Sequence, residues 1–294
     1  MRSGMEIGTP LADRMSANGI RRIVVGKLAI EDVGDDQVGI DAARKVYGNA
    51  VTSAESLWQQ AKAGDKPDPE TARKIIDSLA NIVNQDRTSL MALTAMKKYD
   101  NYTFTHMVNV AALSMAQARA LNLEGPLLRE FGFAALMHDI GKVNTPLELL
   151  NKPGKLTALE FEQMKLHVDV GAQMLAAIDY PYPVVPIVYA HHENWDGSGY
   201  PKGTKGTDIP IGARILSVVD CFDALTSDRP YRPAMTDEDA IAVLVSRRGT
   251  MYDPLVVDTF IKVYKDLQPS SAEPILSEEA LMQISRASAP PPRP

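Results

Sequence analysis

Apolar residues recur at helical spacing along most of the chain. From Asp41 onward Val46, Ala50, Ala54, Leu57, Trp58 and Ala61 follow at intervals of three and four, the period that lines one face of an α-helix. Gly64-Asp65-Lys66-Pro67-Asp68-Pro69 breaks the pattern. A second stretch then sets Ile75, Leu79, Ile82, Val83, Leu90, Leu93 and Met96 on its apolar side. Segments 104–122, 126–139, 157–178, 184–192, 209–226, 236–247 and 254–266 have helical periodicity or length. Two of them open with a hydroxyl followed by carboxylates: Thr157 before Glu160, and Thr236 before Glu238-Asp239. Such residues accept hydrogen bonds from the unpaired N–H groups of a first helical turn. Residues 1–40 differ: Gly4, Gly8, Pro10, Gly19, Gly26 and Gly34 punctuate short runs such as Ile23-Val24-Val25, which predicts loop with one or two short strands. Beyond residue 96 nothing predicts a strand. The pattern therefore predicts an all-α core over about 95–270 behind a smaller, mostly helical N-terminal region. Residues 269–294 add a C-terminal helix and a proline-rich extended tail.

Composition narrows the class. Apolar residues make up 45% and charged residues 23%, ordinary for a globular protein and too apolar for a disordered one. With 31 Lys+Arg against 37 Asp+Glu the net charge is −6, which argues against DNA or general nucleic-acid binding. The single cysteine, Cys221, excludes an internal disulfide framework and a cysteine-built zinc site, and fits a reducing compartment. No apolar run reaches the ~18–20 residues of a membrane span, and the first residues lack a secretory apolar core, so a cytoplasmic location is expected.

The candidate chemistry lies in the histidines. There are five, His106, His138, His167, His191 and His192, each set in strongly apolar sequence. Asp139 follows His138, and Asp220 lies within Ile215-Leu-Ser-Val-Val-Asp-Cys-Phe. A buried imidazole or carboxylate needs a partner to offset its desolvation, and a metal ion would serve all seven at once. A tetrahedral ion would leave three idle, whereas two ions bridged by a carboxylate would use them all. Neighbours on a helix diverge by about 100°, so His138-Asp139 and His191-His192 must sit at helix ends. Gly141 and Asp196-Gly197 fit ends there. Taken singly, each histidine is more often a hydrogen-bonded core residue. Arg214, Ser217, Asp220 and Asp223 also share an i+3 row that fits a solvated helix face.

The surrounding residues are more specific. His138-Asp-Ile-Gly-Lys142, Leu150-Asn-Lys-Pro-Gly-Lys-Leu-Thr157 and Met164-Lys-Leu-His167 resemble the HD-GYP branch of the HD phosphohydrolase superfamily. So do His191-His-Glu-Asn-Trp-Asp-Gly-Ser-Gly-Tyr-Pro201 and Asp220-Cys-Phe-Asp-Ala-Leu-Thr-Ser-Asp-Arg-Pro-Tyr-Arg232. Tyr102-Thr-Phe-Thr-His106 and Met251-Tyr-Asp-Pro254 match the family's opening and closing motifs. The resemblance covers about residues 97–265 in the expected order, and suggests an HD-GYP catalytic domain over 96–268, with residues 1–95 free for a regulatory role.

The resemblance implies an HD-type helical bundle with a dinuclear metal centre that hydrolyses cyclic di-GMP through a metal-bridging hydroxide. Asp139 would bridge two divalent ions, iron or manganese; His106, His138 and Asp220 would complete one site, and His167, His191 and His192 the other. Tyr102 stands where some members place a glutamate for a third metal, which favours two. Lys142 would reach a phosphate oxygen, and Arg229 and Arg232 would hold the second phosphate or a guanine. Exposed charge is the competing reading for those three. Asp223 would orient a ligand or Lys142. The Gly199-Tyr200-Pro201 loop has a structural role as its simplest reading, to which the family adds contacts with diguanylate-cyclase domains. A homodimer is also compatible with the family. Two alternatives stay open: a hydrolase of another cyclic dinucleotide, and a catalytically weak nucleotide-binding scaffold.

Overall fold

The computed structural model of the chain describes residues 30–85, 102–178, 183–228 and 232–267. Among these residues the fold is helical, without strands apart from an isolated bridge between Arg248 and Tyr252. Residues 39–294 form one compact unit; of the other, 1–38, only the helical residues 30–38 are described.

Helix α1 spans Ile30–Ala63. It starts earlier than the sequence pattern suggests, because the acidic, glycine-containing segment 30–40 has no apolar stripe of its own yet continues a helix already nucleated beyond it. Ile23-Val24-Val25 lies outside the described residues. Gly64, at φ 86°, ends α1, and Asp65 N donates to Gln60 O at 3.0 Å. Helix α2 spans Pro69–Gln85. Asp68 caps it, accepting from Glu70 N at 3.2 Å and Thr71 N at 3.0 Å, with Pro69 at a position where no N–H is needed. Tyr47, Ala54, Leu57, Ile76 and Leu79 of these two helices are buried in the same core as the helices that follow. The expected boundary near residue 95, and Leu90, Leu93 and Met96, fall outside the described residues.

Helix α3, Tyr102–Ala120, is the central element and packs against α2 and three later helices. Met107, Val108, Val110, Ala111, Leu113, Met115 and Ala118 cover its whole circumference with buried apolar surface, so it has no solvated face. Helix α4 (Gly125–Met137) leads through a 3-10 turn (Ile140–Asn144) and short α5 (Leu147–Leu150) to α6 (Ala158–Ala176). Thr157 and Glu160 cap α6 reciprocally: Glu160 N donates to Thr157 Oγ1 at 3.3 Å, and Thr157 N to Glu160 Oε2 at 2.7 Å. Helices α7 (Val184–Ala190), α8 (Ile211–Thr226), α9 (Asp237–Ser246) and α10 (Pro254–Leu267) complete the bundle. Thr236 caps α9, accepting from Asp239 N at 3.1 Å. No helix among the described residues is long and apolar enough to cross a membrane.

Gly141 sets how closely the 3-10 turn docks on α6. A Cβ there would lie 2.0 Å from His167 O and 2.6 Å from Gly171 N. Only glycine permits this backbone-to-backbone approach.

Candidate metal centre

Helix α4 ends at Met137 and α7 at Ala190, so His138 and His191 are C-terminal caps and Asp139 and His192 step off the helical spiral. Adjacent residues can thus point to one centre. His138, His167 and His191 share a local device: each Nδ1 lies against the carbonyl three residues earlier, at 2.8 Å from Ala135 O, 2.7 Å from Met164 O and 2.6 Å from Val188 O. A carbonyl only accepts, so Nδ1 carries a proton, and in the neutral ring Nε2 is then the atom with the lone pair.

Those Nε2 atoms converge on Asp139. His138 Nε2 is 3.4 Å from Oδ2, His167 Nε2 is 3.5 Å from Oδ1, and His191 Nε2 is 3.9 Å from Oδ1. His106 Nε2 lies 3.9 Å from Asp139 Oδ2 and 3.2 Å from Asp220 Oδ1, which is also 3.8 Å from His138 Nε2. The His192 ring stands 4.0 Å from that of His191 and 5.1 Å from that of His167. Two sets of donor atoms result, Asp139 with His167, His191 and His192, and Asp139 with His106 and His138.

Four of these inward atoms, His138 Nε2, Asp139 Oδ1, His167 Nε2 and His191 Nε2, are buried without a hydrogen-bond partner. Leaving one such group unpaired costs about 1–3 kcal/mol, so four around one point are explained if a cation sits among them. Neutral imidazoles and a carboxylate suit a divalent transition metal. Burial, with neighbouring positive charge, lowers His167 to about 4 and His192 to about 3, and drives His191 well below its usual value. These rings are therefore neutral near pH 7. Burial also opposes charge on His106, but its hydrogen bonds to Asp220 and Asp223 win and raise it to about 10. Burial pushes Asp139 up, while Lys142 and His138 more than offset it and hold the carboxyl well below the usual range.

Lys142 Nζ donates to Asp139 Oδ2 at 2.5 Å, a pairing set by the 3-10 turn that separates them. Asp223 is fully buried, not on a solvated face, and accepts from His106 Nδ1 at 2.8 Å. Arg232 Nη2 donates to Ala224 O at 2.5 Å and so caps the end of α8. Arg229 lies outside the described residues.

The loop after His192 is tied from several sides. Glu193, not among the candidate residues of the sequence, accepts from Lys202 N at 2.7 Å and Thr204 N at 3.0 Å. A Cβ on Gly199 would lie 2.2 Å from Asn194 N, and Tyr200 N donates to His192 O at 3.1 Å. The Tyr200 ring covers that of His192 at 4.9 Å. Trp195 N donates to Met251 O at 3.0 Å, and the Trp195 ring lies 5.8 Å from Arg214, itself 2.5 Å from Asp253. The closing motif Met251-Tyr-Asp-Pro254 thus anchors this loop. A separate cavity of about 630 Å³ between α2 and α4 is lined by Ile76, Phe133 and Val184, with Arg73 and Arg129. Those arginines are already paired with Glu70 and Asp77.

The geometry defines a helical bundle that gathers histidines and carboxylates from five elements around one shared aspartate. A model of the HD domain family matches residues 74–256, more than half of the chain, and the chain belongs to that family. A cyclic di-GMP phosphodiesterase of Pseudomonas aeruginosa is 39% identical over 221 residues, 75% of this chain and 53% of that protein. One of Thermotoga maritima is 40% identical over 181 residues, 60% of this chain and 49% of that protein. The chain thus spans about half the length of these curated relatives. The solved HDG"Y"P protein of Bdellovibrio bacteriovorus shares the fold, with a TM-score of 0.64, 21% identity, and coverage of 87% of this chain and 78% of its own.

Proposed function

We propose that this chain hydrolyses the phosphodiester bonds of cyclic di-GMP, using two divalent ions, iron or manganese, that share Asp139. The observation that carries the reading is one carboxylate standing between two histidine sets whose inward nitrogens lack partners. The names of the relatives support the substrate. His106, His138 and Asp220 would hold one ion, and His167, His191 and His192 the other. When bound, the ions would supply an acidified water and positive charge to neutralise a pentacovalent phosphorus. Lys142 keeps its ammonium against Asp139 with part of its side chain exposed, where it can meet an entering phosphate oxygen. Arg229, and Arg232 through donors not used at α8, would contact the second phosphate or a guanine. The reading extends to a cytoplasmic chain, to a homodimer, and to diguanylate-cyclase domains meeting the Gly199-Tyr200-Pro201 loop.

The test is a comparison of cyclic di-GMP with a cyclic GMP-AMP dinucleotide as substrates for the anaerobically metal-loaded chain, with products separated by chromatography. Preferential cleavage of cyclic di-GMP, abolished in Asp139→Ala, is expected. Preference for the mixed dinucleotide would move the substrate assignment. Binding of cyclic di-GMP without cleavage would make the domain a scaffold.

A further inference from the structure

His106 is oriented differently from His138, His167 and His191. Those three take their orientation from a carbonyl of their own segment, whereas His106, in the second turn of α3, takes it from another helix. Its Nδ1 donates to Asp223 Oδ2 on α8 at 2.8 Å. Asp223 Oδ1 accepts from Asn109 Nδ2 at 3.1 Å, and Asn109 Oδ1 accepts from the hydroxyl of Tyr47 on α1 at 2.7 Å. All four residues are buried. Each bond direction follows from the next. A carboxylate accepts, so Asn109 must turn its NH2 to Asp223; its carbonyl then faces Tyr47, whose hydroxyl must donate.

Packing alone does not require this chemistry. Asn109 is a buried amide in a helix whose neighbouring positions, Met107, Val108, Val110 and Ala111, are all buried and apolar, and both ends of that amide are spent on Asp223 and Tyr47. A phenylalanine would fill the site of the Tyr47 ring. Tyr47 also precedes residues 74–256, so the family match does not speak for it.

We propose that Tyr47 and Asn109 are positioning residues of the metal centre. By holding Asp223 they fix His106 with Nδ1 as donor and Nε2 toward Asp139 and Asp220, and they make one of the two ion positions depend on the seating of α1. The inference rests on the dinuclear reading given above. Removing an outer partner of a metal-bound histidine commonly weakens metal affinity about 10–100-fold, and a partner one step further out should matter less.

The test titrates manganese(II) into the metal-stripped full chain by calorimetry, with folding followed by circular dichroism. Wild type should show two binding events. Tyr47→Phe should weaken one of them about three- to tenfold and leave the other within about twofold. Asn109→Ala should weaken the same event further, and Tyr47→Phe should add nothing in an Asp223→Asn background. A merely structural role would weaken both events alike, or add in that background, and either result overturns the proposal. So does a Tyr47→Phe chain with both events unchanged. Tyr47→Phe keeps the buried ring and decides the matter if Asn109→Ala does not fold. A wild-type chain that takes up no divalent metal overturns the dinuclear reading and this inference together, whereas unchanged variants of a two-event wild type overturn this inference alone.

Discussion

Substituting Gly141 with alanine tests whether the close docking of the 3-10 turn on α6 builds the centre. The added Cβ would lie 2.0 Å from His167 O, against an ordinary contact of about 3.4 Å, so turn and helix must part by about 1.4 Å. The opposing atoms are backbone, and no rotamer change relieves the contact. Overpacking of this kind costs about 3 kcal/mol, the upper end of what added methyl groups do in cores. For a domain of this size that is a loss of about 6–12 °C in melting temperature. The displacement also falls between two proposed ligands. Asp139 is two residues before Gly141, its Oδ1 is 3.5 Å from His167 Nε2, and the carbonyl struck belongs to His167. Ligand sets tolerate only about 0.5 Å of such error, so manganese affinity at the His167, His191 and His192 set should fall at least about tenfold. Melting of the metal-free chain and calorimetric titration read the two effects separately. Gly48→Ala on α1 is the control: nothing lies within 4 Å of its added Cβ, and helix propensity predicts a gain of about 0.5–1 kcal/mol. A Gly141→Ala chain that melts within about 2 °C of wild type and titrates identically would refute the argument.

Three further outcomes follow from the same geometry. Manganese at about a hundred times the dissociation constant of each site should raise the melting temperature by roughly 10–20 °C through two ions binding the folded state, and Asp139→Ala should abolish that rise in a scanning calorimeter. His106, raised to about 10, carries two protons near neutral pH in the metal-free chain, while His167 and His192, lowered to about 4 and 3, are already neutral. Filling the His106 site should therefore release the extra proton of that ring, and affinity there should fall about tenfold for each pH unit of acidification below about 10; titration in buffers of different ionisation enthalpy checks both, and release of no proton would contradict it. Thr157→Ala should cost about 1 kcal/mol in thermal melts by removing the acceptor for Glu160 N, with metal titration unchanged, since the cap lies nearly three turns, about 15 Å along α6, from His167.

Much of the helical framework was legible because apolar spacing reports burial on one face. The caps at Thr157 and Thr236 were legible because a hydroxyl followed by carboxylates has few other local uses. The need for helix ends at His138 and His191 followed from the angular step of the helix and agrees with caps at both. Other features depend on tertiary partners and leave no local trace. Asp223 shares its i+3 row with Arg214 and Ser217, and only the packing of α3 against α8 turns it inward. Residues 30–40 are helical without an apolar stripe to announce it. The hydroxyl of Tyr47 meets Asn109 across 62 residues, and such pairs cannot be read from spacing. Asn109 did leave a faint signal, a lone amide in Val108-Asn109-Val110 one turn after His106.

As proposed above, Asp139, Asp220 and the five histidines together form a dinuclear centre for phosphodiester hydrolysis. Metal analysis of the anaerobically purified chain, with chromatography of its products from cyclic di-GMP on the same sample, tests it most directly. Two iron or manganese ions per chain and conversion of the cyclic dinucleotide are expected, both lost in His138→Ala and Asp139→Ala. A chain that holds both ions and leaves cyclic di-GMP intact would contradict it.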